Sequence, residues 1–183
     1  MSDSTNKVPI VVAKRVAENL LEAMAGSFIR AEIAGSIRRE VPWVSDIEIV
    51  VIPKPSEDLF SNLHYNSDVV YRAIQGDMDM LNPPAFEKQG TAYGRFQFQG
   101  IDVDLFITTP EKWGCIFLIR TGSADFTRHI VTQRWQGGWC PPDLYFKYGR
   151  LWSIEQSVPL YTPEEEDVFR HLGLDWIEPY GRI

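Results

Sequence analysis

Residues Gly35 to Arg39 read Gly-Ser-Ile-Arg-Arg, and a little further on Asp46-Ile47-Glu48 opens an apolar run that continues Ile49-Val50-Val51-Ile52. A small tight turn carrying a hydroxyl and two arginines can hold phosphate through charge-assisted hydrogen bonds. Acids at i and i+2 of a strand project from the same face, because side chains alternate with a period of two. Two carboxylates so placed can hold a divalent cation through oxygen. The two segments together predict a strand-turn-strand unit at which phosphate and metal meet.

A second acidic pair, Asp102 and Asp104, lies in Ile-Asp-Val-Asp-Leu-Phe and repeats the pattern. Set side by side, the two strands would gather three or four carboxylates, which cannot all stay ionised without a cation between them. Oxygen-only donors suit Mg²⁺ or Mn²⁺. The plainer alternative is that each pair is the solvated face of an edge strand. Its coupling to the Gly-Ser-x-Arg-Arg turn favours the metal reading. Gly76-Asp77-Met78-Asp79-Met80-Leu81 offers two aspartates, but no such turn precedes it and Asn82-Pro83-Pro84 closes it at once, so it reads as a polar loop.

The elements that must position these groups are partly legible. Val12, Val16, Leu20 and Met24 recur every four residues between Pro9 and Gly26, which predicts an amphipathic helix over 9–25. Residues 28–34 predict a short strand and 47–52 a strong one, closed by Pro53 and Pro55. Residues 56–90 carry little pattern beyond a short helix near 69–74. Tyr93 to Ile107, split at Gly100, predicts a hairpin. Thr108-Thr109-Pro110 marks a break, which divides the chain into lobes 1–109 and 110–183. In the second lobe, 112–120 is apolar enough for a buried helix. Ser123 is placed to cap a helix running to about Trp135, where Gly137-Gly138 stops it. Leu144 to Ile154 predicts a second hairpin. Thr162-Pro163-Glu164-Glu165 predicts a capping box with proline at the first helical position, the helix ending at Gly173. Trp135, Trp139, Trp152 and Trp176 are expected in the core of this lobe, His129 on its surface.

The chain has 183 residues, 44% of them hydrophobic, a net charge of −7 and a pI near 5.0. That balance argues against non-specific coating of nucleic acid, which needs cations. The charge is uneven, however. Residues 112–150 hold six Lys/Arg and two acids, whereas residues 151–183 hold seven acids and two arginines. A locally basic surface can still take a polyanion, in a salt-dependent way. The first residues lack a signal-peptide core and no apolar run approaches the roughly 20 residues that span a bilayer, so a cytoplasmic protein without a membrane partner is expected. Cys115 and Cys140 form neither metal spacing nor a disulfide framework and are expected as reduced thiols.

The motifs in order are Gly35-Ser36-x-Arg38-Arg39, Asp46-x-Glu48, Asp104, Thr121-Gly122-Ser123-Ala124-Asp125-Phe126 and Glu166-Asp167-Val168-Phe169 with Leu172-Gly173-Leu174. This series resembles the family X DNA polymerases, the DNA polymerase beta-like nucleotidyltransferases, over about residues 28–52 and 100–180. The resemblance implies an α+β fold: a nucleotidyltransferase palm, with a mixed or antiparallel sheet and helices on one face, plus a small α/β thumb. One helix alone precedes the palm here, so the helix-hairpin-helix and lyase domain of larger members is expected to be absent, as in the smallest viral members; a viral or bacterial source fits. The implied activity is DNA-directed nucleotidyl transfer of short-gap repair type. A primer 3′-hydroxyl attacks the α-phosphate of a dNTP or NTP, pyrophosphate leaves, and the partner is primer-template or gapped DNA bound by a monomer.

By the same resemblance Asp46 and Glu48 bridge two Mg²⁺ ions, for which Mn²⁺ can substitute, and Asp104 binds the catalytic one. Counting back from Thr121 without gaps favours Asp104 over Asp102, which would be its neighbour on the same face. Gly35, Ser36, Arg39 and Ser45 fall to the phosphates, and Gly122, Ser123 and Asp125 to the nucleotide. Arg120, Arg128 and Lys147 fall to nucleic-acid phosphate or the triphosphate. Two departures stand out: Glu48 where the family has aspartate, and Ile119-Arg120 where it has an aromatic pair, which puts sugar discrimination in question. The competing readings are a nucleotidyltransferase acting on a small molecule, a tRNA or a protein, a template-independent terminal transferase, and an inactive binding module that kept the fold.

Overall fold

The computed structural model describes residues 7–57, 63–76 and 84–183. It divides into two compact units, Met1–Thr108 and Thr109–Ile183. The architecture is α+β, with a mixed sheet and six α-helices among the described residues. No helix among those residues is long and apolar enough to cross a membrane.

The first unit begins with strand β1 (Val8–Pro9) and helix α1 (Ile10–Ala23). The buried stripe of α1 is Ala13, Val16, Ala17 and Leu20, whereas Val12 is 48% exposed. A strict four-residue spacing drifts around a helix of 3.6 residues per turn, so Val12 leaves the face that Val16 and Leu20 share. Strand β2 (Phe28–Ile33) leads into a single helical turn, α2 (Gly35–Arg38), where the sequence predicts only a tight turn. Strands β3 (Trp43–Val44) and β4 (Asp46–Pro53) follow; β3 pairs with β1. A small pair, β5 (Pro55–Glu57) with β6 (Leu63–Tyr65), precedes helix α3 (Ser67–Gly76). Residues 77–81, the rejected two-aspartate segment, lie outside the described residues.

The main sheet runs β2-β4-β9-β8-β7, with β7 (Phe86–Gln89), β8 (Tyr93–Phe98) and β9 (Ile101–Ile107). All its neighbours are antiparallel except β4 and β9, which pair in parallel. Ile47, Ile49 and Val51 of β4 point to one face and join Val103, Leu105 and Ile107 of β9. The buried sides of α1 and α3 cover this face. The alternation therefore sends Asp46, Glu48, Asp102 and Asp104 to the opposite face, away from these helices.

The second unit holds α4 (Trp113–Thr121), α5 (Ala124–Val131), a small sheet of β10 (Leu144–Lys147), β11 (Arg150–Ser153) and β12 (Val158–Pro159), and α6 (Glu165–Leu172). Helix α5 stops four residues short of Trp135. Thr132 turns extended, its carbonyl accepts from Cys140 N, and Gln133 bridges Cys140. Gly138 is required beside it, since a Cβ there would overlap the Thr132 carbonyl.

The cap of α6 is Glu164 with Asp167, not Thr162. Thr162 is fully buried, and its carbonyl accepts from Gly114 N of α4 while its hydroxyl meets the Cys115 thiol at 3.3 Å. Position 162 thus joins two helices instead of opening one. The core comprises Leu118, Phe126, Ile130, Leu151, Val168, Phe169 and Leu172 with both cysteines, which are free and buried. Burial, reinforced by Asp143, pushes the Cys140 thiol up to about 11. The expected tryptophan core is not found: Trp135 is 74% exposed, Trp176 lies at the surface, Trp152 is half-buried and Trp139 only borders the core. Leu, Phe and Val side chains fill the centre instead.

Candidate active site

Parallel pairing sets Asp46 opposite Asp102 and Glu48 opposite Asp104 on the face that α1 and α3 leave open. All four side chains are half-buried. Burial raises the Asp46 carboxyl above the ordinary carboxylate range, reinforced by Asp104 and, more weakly, Asp102; Arg95 and a hydrogen bond from the Ser45 hydroxyl oppose the shift. Ser45, assigned to phosphate by resemblance, is thus engaged with Asp46.

A raised folded pKa means that the folded state binds the proton more readily than the unfolded one. The associated stability is present at low pH and lost as pH rises through the raised value. In chelator, Asp46→Asn is therefore expected to raise the melting temperature near neutral pH. The advantage should vanish below the ordinary aspartate value of about 3.9. A pH series of thermal melts checks this, and an Asn variant that melts lower at neutral pH would refute it.

The turn meets the acids at Gly35. This residue sits at φ +62°, and a Cβ there would overlap the Glu48 carboxylate, whose Cδ would lie 2.7 Å away. The extra methylene of Glu48 is accommodated against a glycine that has no side chain. Ala34 N donates to the Glu48 carbonyl, locking turn to strand. Gly35→Ala should cost roughly 1–2 kcal/mol from the left-handed backbone alone. The larger effect is on activity, because the Glu48 side chain is flexible and would be driven from its place. Denaturant titration and single-turnover kinetics on one preparation separate the two, and equal losses in both would contradict it.

Arg39 closes the turn as the C-cap of α2. Burial lowers its guanidinium pKa from the ordinary value, and Glu48 and then Asp46 counter that effect. Ser36 lies half-buried in the same turn, and its carbonyl accepts from Val41 N. The geometry thus brings Gly35, Ser36, Arg39, Ser45, Asp46 and Glu48 together with Asp102 and Asp104.

Three partners of the aspartates escaped sequence reasoning. Arg95 on β8 is registered opposite Asp104, and Gln97 opposite Asp102. Arg95 Nη1 donates to both Asp104 oxygens at 2.9 and 3.0 Å, and Nη2 donates to Asp102 Oδ2 at 2.8 Å. The Tyr93 hydroxyl donates to Asp104 Oδ1 at 2.6 Å, and Gln97 Nε2 to Asp102 Oδ1 at 2.9 Å. Alternation along Tyr93-Gly94-Arg95-Phe96-Gln97 was the available signal, since residues 93, 95 and 97 share one face.

The acids suit a hard divalent cation in donor chemistry, and the cradle at Gly35 holds one of them. Among the described residues, though, no three acids, histidines or cysteines stand close enough to share one ion in this arrangement. Asp102 and Asp104 are tied to Arg95 instead.

In the second unit, Gly122 caps α4, and a Cβ on it would press on Phe126 Cδ1 at 2.5 Å. Ser123 caps α5, its hydroxyl accepting from Phe126 N at 3.1 Å, while Ser123 N donates to the carbonyl of Arg182. Asp125 and Arg128 are exposed and pair with each other at 2.9 Å. Arg120 lies half-buried in the last turn of α4. Lys147 is exposed at the β10–β11 hairpin, with its ammonium 4.9 Å from the Tyr148 ring centre. Arg134, counted in the basic stretch, donates to the carbonyls of Trp139 and Leu172 and so serves the fold. His129 is exposed and stacks on Trp139, as a surface histidine.

Comparison with known proteins adds two findings. Residues 116–183 match the DNA polymerase beta thumb family. The chain is 33% identical over 85 residues to DNA nucleotidylexotransferase of Gallus gallus, a match that takes in 46% of this chain and 16% of that protein. The matched residues include the Gly122-Ser123 junction and the Gly173 terminus of α6. Residues 116–183 are thus similar to the thumb of DNA polymerase beta, and in the chain they follow a mixed sheet that carries the four acids on one face.

Proposed function

We propose that the chain transfers a nucleotide from a nucleoside triphosphate to the 3′-hydroxyl of a DNA primer. The observation that carries this is the in-register placement of Glu48 beside Asp104, with Asp46 next to them and the Gly35–Arg39 turn packed on Glu48. Residues 1–109 would be the palm and 110–183 the thumb.

Asp46, Glu48 and Asp104 would hold two magnesium ions, or manganese in their place. Bound there, the ions supply charge neutralisation and lower the pKa of the attacking hydroxyl. Arg39, the Ser36 hydroxyl and backbone N–H groups of the turn hold the β- and γ-phosphates. Ser45 orients Asp46. The primer oxygen attacks the α-phosphorus in line, the bond to the β-phosphate oxygen breaks, and pyrophosphate departs. Little covalent chemistry falls to the protein, so positioning and charge complementarity supply the acceleration. Gly122, Ser123 and Asp125 border the nucleotide, and Arg120, Arg128 and Lys147 contact phosphate. The protein acts as a monomer in the cytoplasm, in short-gap repair.

The relative in Gallus gallus favours a second reading, template-independent terminal transfer, because the shared segment belongs to an exotransferase. Labelled primers on gapped, nicked and single-stranded DNA, with dNTPs and with rNTPs, decide between them. Extension confined to gapped DNA supports templated synthesis, and extension of the bare primer supports terminal transfer. Extension of none of them rejects both readings.

A further inference from the structure

The β10–β11 hairpin of the second unit buries one face and shows the other. Leu144, Phe146 and Leu151 pack into the core, so alternation sends Tyr145, Lys147, Arg150 and Trp152 to the opposite side. Tyr145 and Trp152 stand opposite each other in register, their rings 6.2 Å apart with 23° between the planes. Trp152 Nε1 donates to the Lys147 carbonyl at 2.9 Å, which fixes the indole across the hairpin. Lys147 is registered opposite Arg150, and Tyr148-Gly149 make the turn between them, at φ +53° and +71°. Such a turn favours asparagine before the glycine. Here a tyrosine holds that place, 77% exposed, with the Lys147 ammonium 4.9 Å from its ring centre. The tip is seated on α4, since a Cβ on Gly149 would meet Ile116 Cδ1 at 2.7 Å. Among the described residues neither Lys147 nor Arg150 stands in an ion pair. Glu111 is held below the ordinary carboxylate range chiefly by the Thr109 hydroxyl, with Arg150 a lesser cause. Asp143 and Glu155 flank the open end of the hairpin, away from its tip.

We propose that this face binds the unpaired bases of a DNA strand: Tyr148 stacks on a base, Tyr145 and Trp152 extend the platform, and Lys147 and Arg150 hold the flanking phosphates. It rests on the reading above only for the choice of DNA as the strand. A held aromatic platform beside two cations is complementary to a chain that alternates flat rings with negative charges. Open ring faces take a base whose own face is open, and every base has one, so the site tolerates any sequence. A duplex hides those faces in its stack and offers phosphate alone. The phosphate contacts make the binding salt-dependent.

The test is the fluorescence anisotropy of a labelled oligothymidylate titrated with the full chain, without added metal. Tyr148→Asn puts the favoured residue into the turn, so the melting temperature should hold or rise while strand binding weakens at least about fivefold. Tyr148→Phe and Tyr148→Trp should keep the binding. An abasic strand with the same phosphates should bind wild type and Tyr148→Asn equally. Lys147→Gln and Arg150→Gln should each flatten the slope of log affinity against log salt by about 0.7. A smaller loss than about fivefold in Tyr148→Asn, an equal loss on the abasic strand, or a wild type that takes up no oligothymidylate overturns the proposal. So does self-association that Tyr148→Asn abolishes while strand binding stays, which makes the face an interface between copies. Primer extension is measured alongside. Extension without this strand binding rejects the platform and keeps nucleotide transfer, whereas strand binding as described with no extension keeps the platform and rejects transfer.

Discussion

Asp46→Asn is expected to reduce nucleotide incorporation by at least about a thousandfold, equivalent to roughly 4 kcal/mol of transition-state stabilisation. The substitution keeps the shape of the side chain and an oxygen to accept from Ser45, so the strand should not move. What disappears is the negative charge next to Glu48 and Asp104. A neutral amide neither competes for a divalent ion as a carboxylate does nor offsets the Arg39 guanidinium. Single-turnover incorporation at saturating metal and triphosphate measures the effect without interference from product release. Retention of activity within about tenfold of wild type would remove Asp46 from the chemistry. The same variant should melt no lower than wild type in chelator, which excludes unfolding as the cause of inactivity.

The second large effect concerns stability. Arg182→Met should destabilise the second unit by about 3–5 kcal/mol, the usual result of stranding one partner of a buried pair. Arg182 is fully buried, and its Nη1 donates to Glu165 at 2.6 Å, Glu165 itself being 3% exposed. Its Nε donates to the Ile177 carbonyl, and its guanidinium lies 4.7 Å from the Trp176 ring centre and 5.3 Å from that of Phe169. Methionine fills most of the volume but leaves a carboxylate without its cation in an apolar setting. Arg182→Met/Glu165→Leu should recover most of the loss, because an apolar pair of similar size costs little where the charged pair stood. Urea titration of the two variants decides the matter. If the single variant is within about 1 kcal/mol of wild type, or the double variant fares no better than the single, the pair is not the determinant.

What could be read from residue order follows physical range. The run Ile47 to Ile52 is a strand by its own composition, and the acids at 46 and 48 share a face by alternation alone. The repeated acidic pair raised the idea of two such strands side by side, but that β9 is the parallel neighbour of β4, with Glu48 opposite Asp104, depends on chain segments far apart in sequence. Arg95 was invisible for a related reason. Its bonds to Asp102 and Asp104 exist because β8 and β9 pair in one register, and a shift by one residue would turn it to the covered face. At Glu48 the sequence showed only a glutamate where the family has aspartate, and the structure packs that side chain against Gly35.

Local signals failed where tertiary bonds competed with them. Ser123 caps its helix as expected, but the bridge to Cys140 stops that helix early. Thr162 carries a capping signature, yet its carbonyl is committed to Gly114. Aromatic content misled as well. Tryptophans were expected inside, and four of them border or leave the core, whereas Trp113 is buried completely.

The parallel pairing of β4 with β9 also has a consequence for how the molecule is assembled. Antiparallel neighbours can zip from a hairpin turn, but β4 and β9 meet only after the intervening chain, with α3, β7 and β8, has been laid down. Until then β4 is an outer strand, with Ile47, Ile49, Val50 and Val51 along an unpaired edge of the kind that recruits other chains. The acidic pair is complete in sequence from residue 48 onward, yet its third carboxylate arrives with the last strand of the sheet. A chain emerging from the ribosome therefore carries its most aggregation-prone edge and half of its acidic cluster together, and docking of β9 resolves both at once.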